Sequence, residues 1–277
     1  MFTVKYKQLE SNLVFFNKRK GYIMKKLTLT SLMAVFAVSA ANAAVINDNP
    51  LYRPDQGKFY SVTEVASHSE YTDTWALREG FGYGVTDKLS VAVLTDVAEQ
   101  DWFDHNNWGD LTFGASYRAL DMGNIKADVY GAYTVTPVWG DHSPFLDKDM
   151  TNYGWTAGVR AGYVTDMWTV AGHFAFTYGN TESFNWNDEG IHQLKAGVDG
   201  FLSLTPDWAL YAGAEYTGYT DDEFDNAGTW DGKLGVNYNI DANKFVGAYV
   251  STTLRHATGD WEFDDGFGFG GKFGIQF

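Results

Sequence analysis

The chain closes on the stretch FGFGGKFGIQF, in which Phe267, Phe269, Phe273, Ile275 and Phe277 share one parity with Gly271. Gly268, Gly270, Lys272, Gly274 and Gln276 fill the other. Side chains of a strand point alternately to its two faces, so this stretch reads as a β-strand with one aromatic face and one small, polar face. The same alternation recurs upstream. One parity collects Leu89, Val91, Val93; Leu111, Phe113, Tyr117; Trp155, Val159, Tyr163; Trp168, Val170, Phe174, Phe176; and Trp230, Leu234, Val236, Tyr238. The opposite parity is small or polar: Thr112, Gly114, Ser116; Thr156, Gly158, Gly162; Thr169, Ala171, Ala175; Gly235 and Asn237.

A soluble sandwich also alternates, but it turns its aromatics inward and shows charge outside. Here Tyr and Trp crowd the strand ends. Tyr83, Tyr117, Tyr163, Trp168, Trp208 and Tyr238 flank short turns, while Trp75, Tyr153, Trp155, Tyr178, Tyr216 and Trp230 flank longer segments. Two such belts with an aliphatic band between them match the two interfaces of a bilayer. The greasy face therefore belongs against lipid. Hydrocarbon tolerates no unpaired backbone donor, so an all-strand membrane chain must close on itself.

The connections set the strand count. Short turns fall at Thr86-Asp87-Lys88, Asp121 to Asn124, Thr165-Asp166-Met167, Thr205-Pro206-Asp207 and Asp241 to Lys244, built from residues that tolerate tight turns. Longer polar segments lie at about 68–74, 98–108, 138–152, 179–190, 219–228 and 257–265. Joined in alternation they give an all-β, single closed antiparallel transmembrane barrel of about twelve strands, ten to fourteen being compatible with strand ends uncertain by roughly two or three residues. A propeller would need shorter strands and a repeated blade signature, which the sequence lacks.

Ahead of the barrel, residues 24–43 read MKKLTLTSLMAVFAVSAANA: two lysines, an apolar core from Leu27 to about Ala41, and a small-x-small site at Ala41-Asn42-Ala43. That is the form of a cleaved signal peptide, and the core is too short for a spanning helix. Domain organisation follows: residues 1–23 as an extension upstream of the true start, 24–43 as the leader, and 44–277 as the barrel. The chain's formal charge of −15 becomes more negative on cleavage, because residues 1–43 hold seven Lys/Arg against the single acid Glu10. Such a sign excludes nucleic acid as a partner. There is no Cys, which excludes disulfides and thiolate chemistry.

The leader, the alternation of short turns and long loops, turns such as FGYGVTDKLSVAV and the terminal Phe277 together resemble the bacterial, Gram-negative outer-membrane β-barrel proteins of porin type. The resemblance covers essentially the whole of 44–277 and is to an architecture, not to one member. It implies that Phe273, Ile275 and Phe277 form the C-terminal signal read by the barrel-assembly machinery. It also implies short turns on the periplasmic side, long loops outside, and a surrounding of outer-membrane lipid and lipopolysaccharide.

Function is expected inside. Even-numbered strands place one cation each on the inner parity: Arg78, Arg118, Arg160, Lys195, Lys233 and Lys272. Odd-numbered strands supply Glu64, Asp96, Asp128, His173 and Glu215, with Arg255 as the exception, and Asp199 and Asp231 add further acids. Opposite charges on neighbouring strands form ladders that either set the field of a pore or neutralise a filled interior. At about twelve strands a barrel lies between those filled by side chains and those with a wide channel. The expected function is passive diffusion of small hydrophilic solutes through a mixed-charge lumen with an acidic mouth. The alternatives are a structural or surface barrel without conductance, or an outer-membrane protease or lipid hydrolase using Asp101, Asp104, His105, Asp141 or His142. The segment Val138 to Asn152 is the candidate for a loop folding inward.

The long segments carry many acids and the single cation Lys148. Asp221, Asp222, Glu223, Asp225, Asp260, Glu262 and Asp264 are candidates for loose divalent-cation binding, calcium included, that would bridge to lipopolysaccharide. No EF-hand spacing is present, and no cofactor is expected. One residue breaks the pattern: Glu79 falls on the lipid-facing parity, which calls for a bulge near Gly80 or a shifted boundary.

Overall fold

The computed structural model describes residues 48–69, 71–100, 105–137, 151–181, 191–220, 228–256, 261–263 and 266–277. Its strands are β1 (Phe59–His68), β2 (Tyr71–Gly84), β3 (Leu89–Gln100), β4 (His105–Met122), β5 (Ile125–Pro137), β6 (Thr151–Val164), β7 (Trp168–Thr181), β8 (Ile191–Ser203), β9 (Trp208–Tyr219), β10 (Gly228–Asp241), β11 (Lys244–His256), β12 (Trp261–Phe263) and β13 (Gly268–Gln276). Each pairs antiparallel with its chain neighbour from β1 through β11, and β13 pairs with both β11 and β1. The three-residue β12 lies along the same edge of β11 as β13, opposite Leu254 to His256. The result is a closed barrel of twelve spanning strands. The seam is shut where Phe59 N–H donates to Phe277 O (2.8 Å) and Phe277 N–H donates to Phe59 O (2.9 Å).

Thr and Asp shape the tight turns. In VTDKL, Thr86 Oγ1 accepts from the N–H of Lys88 (3.2 Å) and Leu89 (2.9 Å). Thr165 in VTDMW and Thr205 in LTPDW repeat the arrangement with Met167 and Trp168, and with Asp207 and Trp208. Each hydroxyl satisfies donors that the reversing backbone leaves over. Gly123 supplies the left-handed residue (φ 67°) between β4 and β5.

Several strands outrun their expected ends. β3 and β4 stay paired from Val97↔Trp108 to Gln100↔His105, beyond an irregularity at Thr95/Val97, inside the segment expected as a loop. β4 continues to Met122, so the turn after it is shorter than Asp121 to Asn124. Backbone pairing needs no apolar period once a hairpin has left the hydrocarbon, which is why the sequence pattern ends first.

Exposure is inverted relative to a soluble protein. Phe81 is 53% exposed and Trp155 58%, while Thr112 is 2% exposed and Asn237 fully buried. Ring pairs bridge adjacent strands near both rims: Tyr163–Trp168 (5.4 Å between centroids) and Trp208–Tyr238 (4.9 Å) at the short-turn end, Tyr133–Trp155 (4.4 Å) and Tyr216–Trp230 (5.3 Å) at the other. The inner wall departs from the expectation of small and polar residues only. Tyr60, Tyr130, Tyr211, Phe245 and Tyr249 face inward, each lying over the glycine directly opposite it: Gly82, Gly158, Gly235, Gly274 and Gly270. A Cβ at any of these glycines would overlap the ring. The glycine row is thus a set of slots for flat aromatics, which then occupy wall instead of lumen.

Glu79 does face outward, and neither rescue applies. It sits opposite Thr63 on β1 and Thr95 on β3 in unbroken register, with no bulge at Gly80. Ser61 Oγ and Thr63 Oγ1 donate to its two carboxylate oxygens at 2.7 and 2.5 Å.

Gly235→Leu is expected to lower stability by about 1–3 kcal/mol through the clash with the Tyr211 ring. Guanidine titration of the folded protein in micelles measures it. Combination with Tyr211→Ala should return part of the loss, and strictly additive effects would show that ring and glycine do not interlock.

Candidate functional site

The inner parity brings charges of opposite sign side by side on successive strands. Lys272, Glu64, Arg78 and Asp96 face one another across β13, β1, β2 and β3. Arg118, Asp128, Arg160 and His173 do so across β4 to β7. Arg78 donates to Glu64 (2.8 Å), which also accepts from the Tyr249 hydroxyl (2.7 Å). The Lys233 and Lys272 ammonium groups lie over the Tyr249 and Tyr211 rings, 3.8 and 4.2 Å from the centroids. The third group is acidic. His173 is held between Asp199 and Glu215, one ring nitrogen 2.9 Å from each, and Asp231 stands opposite Glu215 and accepts from Thr253 (2.5 Å). Lys195 is buried on β8 beside this group. Arg255 pairs in register with Thr229 and Glu262.

A segment that the pattern did not flag crosses this lumen. Asp48 is bound by Lys272 on β13 and by the Asn237 amide on β10 (2.9 Å). Two and three residues on, the carbonyls of Pro50 and Leu51 accept from Arg160 on β6 and Arg118 on β4, the latter at 2.7 Å. In a ring of twelve spanning strands, β10 and β4 are diametrically opposed. Residues 48–51 therefore form a strap from wall to wall, with Leu51 buried among charges. Arg53 then reaches Asp128 (3.6 Å) and the carbonyls of Lys88 and Ser116, and the Tyr52 hydroxyl donates to Gln276 (2.5 Å). Burial pushes the Tyr52 phenol up to about 12, so it stays a neutral donor. The chain leaves the strap by passing against Gly84, where a Cβ would strike the backbone of Asp55, and turns at Gly57 (φ 81°) into β1. The anchoring residues lie near the short-turn ends of their strands. A recess of about 390 Å³ remains between Tyr52, Phe245 and Gln276 and the turns following β8 and β10.

The signal for the strap was the pair Pro50 and Pro54 around Leu51 and Tyr52 in a chain with only five prolines. Proline cannot donate to a ladder, yet it presents its carbonyl freely. That suits a non-strand segment which feeds acceptors to arginines.

Other expected site residues fall elsewhere. Asp221, Asp222, Glu223, Asp225, Asp260 and Asp264 lie outside the described residues, and Glu262 is described only as part of β12. Asp101, Asp104, Asp141 and His142 also lie outside them, as does the segment expected to fold inward except its last two residues, while His105 opens β4. Among the described residues no group of three His, Asp or Glu is placed to hold a metal ion. His173 has both ring nitrogens engaged by carboxylates, which leaves neither for a substrate hydroxyl. Phe273 and Phe277 are exposed on the outer face of β13, in one row with Ile275.

No family model matches the chain, and no curated protein matches it. Its fold is that of solved bacterial outer-membrane porins. It is similar to the KdgM porin solved with disordered oligogalacturonate (TM-score 0.51, 13% identity, 79% of this chain and 99% of that one). The NanC porin gives a TM-score of 0.50 at 10% identity over 79% of this chain and 98% of that one. An outer membrane channel from Pseudomonas putida F1 gives 0.52 at 15% identity, over 81% and 96%.

Asp128 is 3% exposed and Asp121 46%, although both approach Arg118. Asp128→Ala is expected to cost about 3–5 kcal/mol by stranding buried cations, and Asp121→Ala less than about 1 kcal/mol. Parallel denaturation of the two variants checks this, and equal losses would refute it.

Proposed function

We propose that this chain is a porin-like channel of the bacterial outer membrane, exported by a cleaved leader at residues 24–43, through which small hydrophilic solutes diffuse passively. The observation that carries the reading is the sorting of side chains across one wall. Arg118, Asp128, Arg160 and Lys195 are buried inside while Phe81, Trp155 and Phe174 stand exposed outside. A lumen lined by both signs of charge gives water and polar solutes a path that hydrocarbon denies them. The acidic long segments should raise cations and lower anions at the mouth when salt is low. Phe273, Ile275 and Phe277 would be read by the assembly machinery, and the loop acids would meet lipopolysaccharide through divalent cations.

On this reading the strap from Asp48 to Arg53 narrows the path at the short-turn end. A second reading, a structural barrel without conductance, is favoured by the same strap. The protease or hydrolase reading gains nothing from His173, whose ring is already spanned by two acids.

Planar-bilayer recording of refolded 44–277 separates the two. The expected result is discrete conductance with cation preference at low salt, rising several-fold when residues 44–57 are removed. Arg118→Ala with Arg160→Ala should loosen the strap and shift conductance the same way. A silent full barrel with a conducting truncated one would establish the second reading, and silence from both in every salt would sink the channel.

A further inference from the structure

We infer that the outer face of β1, β2 and β3 is a contact surface for a second copy of this chain within the membrane, centred on Glu79. Trp75 lies four residues above Glu79 on β2 and Tyr83 four below, so the carboxylate sits midway between the two aromatic rims. Its row on β2 reads Leu77, Glu79, Phe81, with Leu77 and Phe81 both exposed. Thr63 and Thr95 stand directly opposite it on either side, and Ser61 is one outward position further along β1. Four polar side chains thus share a patch bordered by Val65, Leu77, Phe81 and Val93.

A carboxylate offers about four acceptor sites, and the Ser61 and Thr63 hydroxyls fill two. Acyl chains carry no donor, and an ionisable group facing them is unfavourable. Lipid is therefore the wrong neighbour for this patch. The right one must lie at the same depth and bring hydroxyls. The patch itself meets that description, since it holds open acceptor sites on Glu79 and, in Thr95, a hydroxyl that Glu79 does not take. A two-fold contact between identical surfaces would set each carboxylate against the partner's Thr95 hydroxyl, with the apolar border closing around them. Hydrogen bonds between membrane-embedded side chains stabilise association of this kind. The inference is independent of whether the lumen conducts.

Because the chain has no cysteine, an introduced thiol is unique. Leu77→Cys and Val65→Cys, both at the apolar border with all hydroxyls kept, would be oxidised in outer membranes that hold the full chain. Val198→Cys, exposed on β8 on the far side of the barrel, is the control. The expected result is disulfide-linked homodimer from both β1–β3 reporters and about tenfold less from Val198→Cys. Adding Glu79→Leu, or Thr95→Val, should reduce the dimer about tenfold while the folded band persists on heat-modifiability gels. Equal cross-linking at Val198, dimer indifferent to Glu79→Leu, linkage only to a different protein, or no linkage at all would each overturn the inference.

Discussion

In hydrocarbon, a backbone N–H or C=O without a partner costs several kcal/mol, and no water is present to supply one. The paired edges of the sheet follow from that. Phe59 and Phe277 exchange two hydrogen bonds, and β1 meets β13 over the full length from Tyr60↔Gln276 to His68↔Gly268. Closure then removes choice from every side chain. Once the ladder is continuous around the ring, a residue's parity decides whether it meets lipid or lumen, and a one-residue slip would reverse a whole strand. Glu79 cannot turn inward, because the same slip would send Leu77, Phe81 and Tyr83 into the lumen and Arg78 into lipid.

The interior is ruled by the complementary constraint. Charges withdrawn from bulk water need partners, and a pair broken on one side costs more than the pair contributes when whole. Neighbouring strands supply most of the partners, as with Glu64 and Arg78 or Arg118 and Asp128. Where the wall leaves N–H donors over, the N-terminal segment supplies acceptors: Arg160 and Arg118 donate to the carbonyls of Pro50 and Leu51, and Lys272 meets the Asp48 carboxylate. The inward aromatics serve packing as well as charge. A ring laid over a glycine keeps its hydrophobic surface against the wall, where it gains contacts.

What was legible in the sequence was whatever repeats along a strand. Alternation set the faces, the Thr-Asp turns set the hairpins, and the inner charges were readable because their parity follows from the outer rings. Residues 48–53 were not legible, since a strap held by single contacts to β4, β6, β10 and β13 has no period to detect. The extension of β3 and β4 past Val97 and Trp108 was hidden for a related reason: a backbone ladder in water leaves no apolar signature. Tyr211 and Tyr249 were missed because an inward tyrosine looks like an interfacial one until its partner glycine is known.

Leu51 and Glu79 are each suited to the opposite medium. Leu51 lies buried among the ions of the lumen, and Glu79 stands on the wall that faces lipid. Departures from local rules concentrate where something other than folding is being served. For Leu51 the compensation is visible within the chain, because its neighbours' carbonyls and Asp48 satisfy cations on opposite walls and hold the segment across the bore. For Glu79 the compensation within the chain stops at two hydroxyls, which leaves acceptor sites on the carboxylate open. A misplaced group that cannot move and is only half satisfied must find the rest of its partners in what lies beside it, so the outer wall of β1–β3 is built for a polar neighbour.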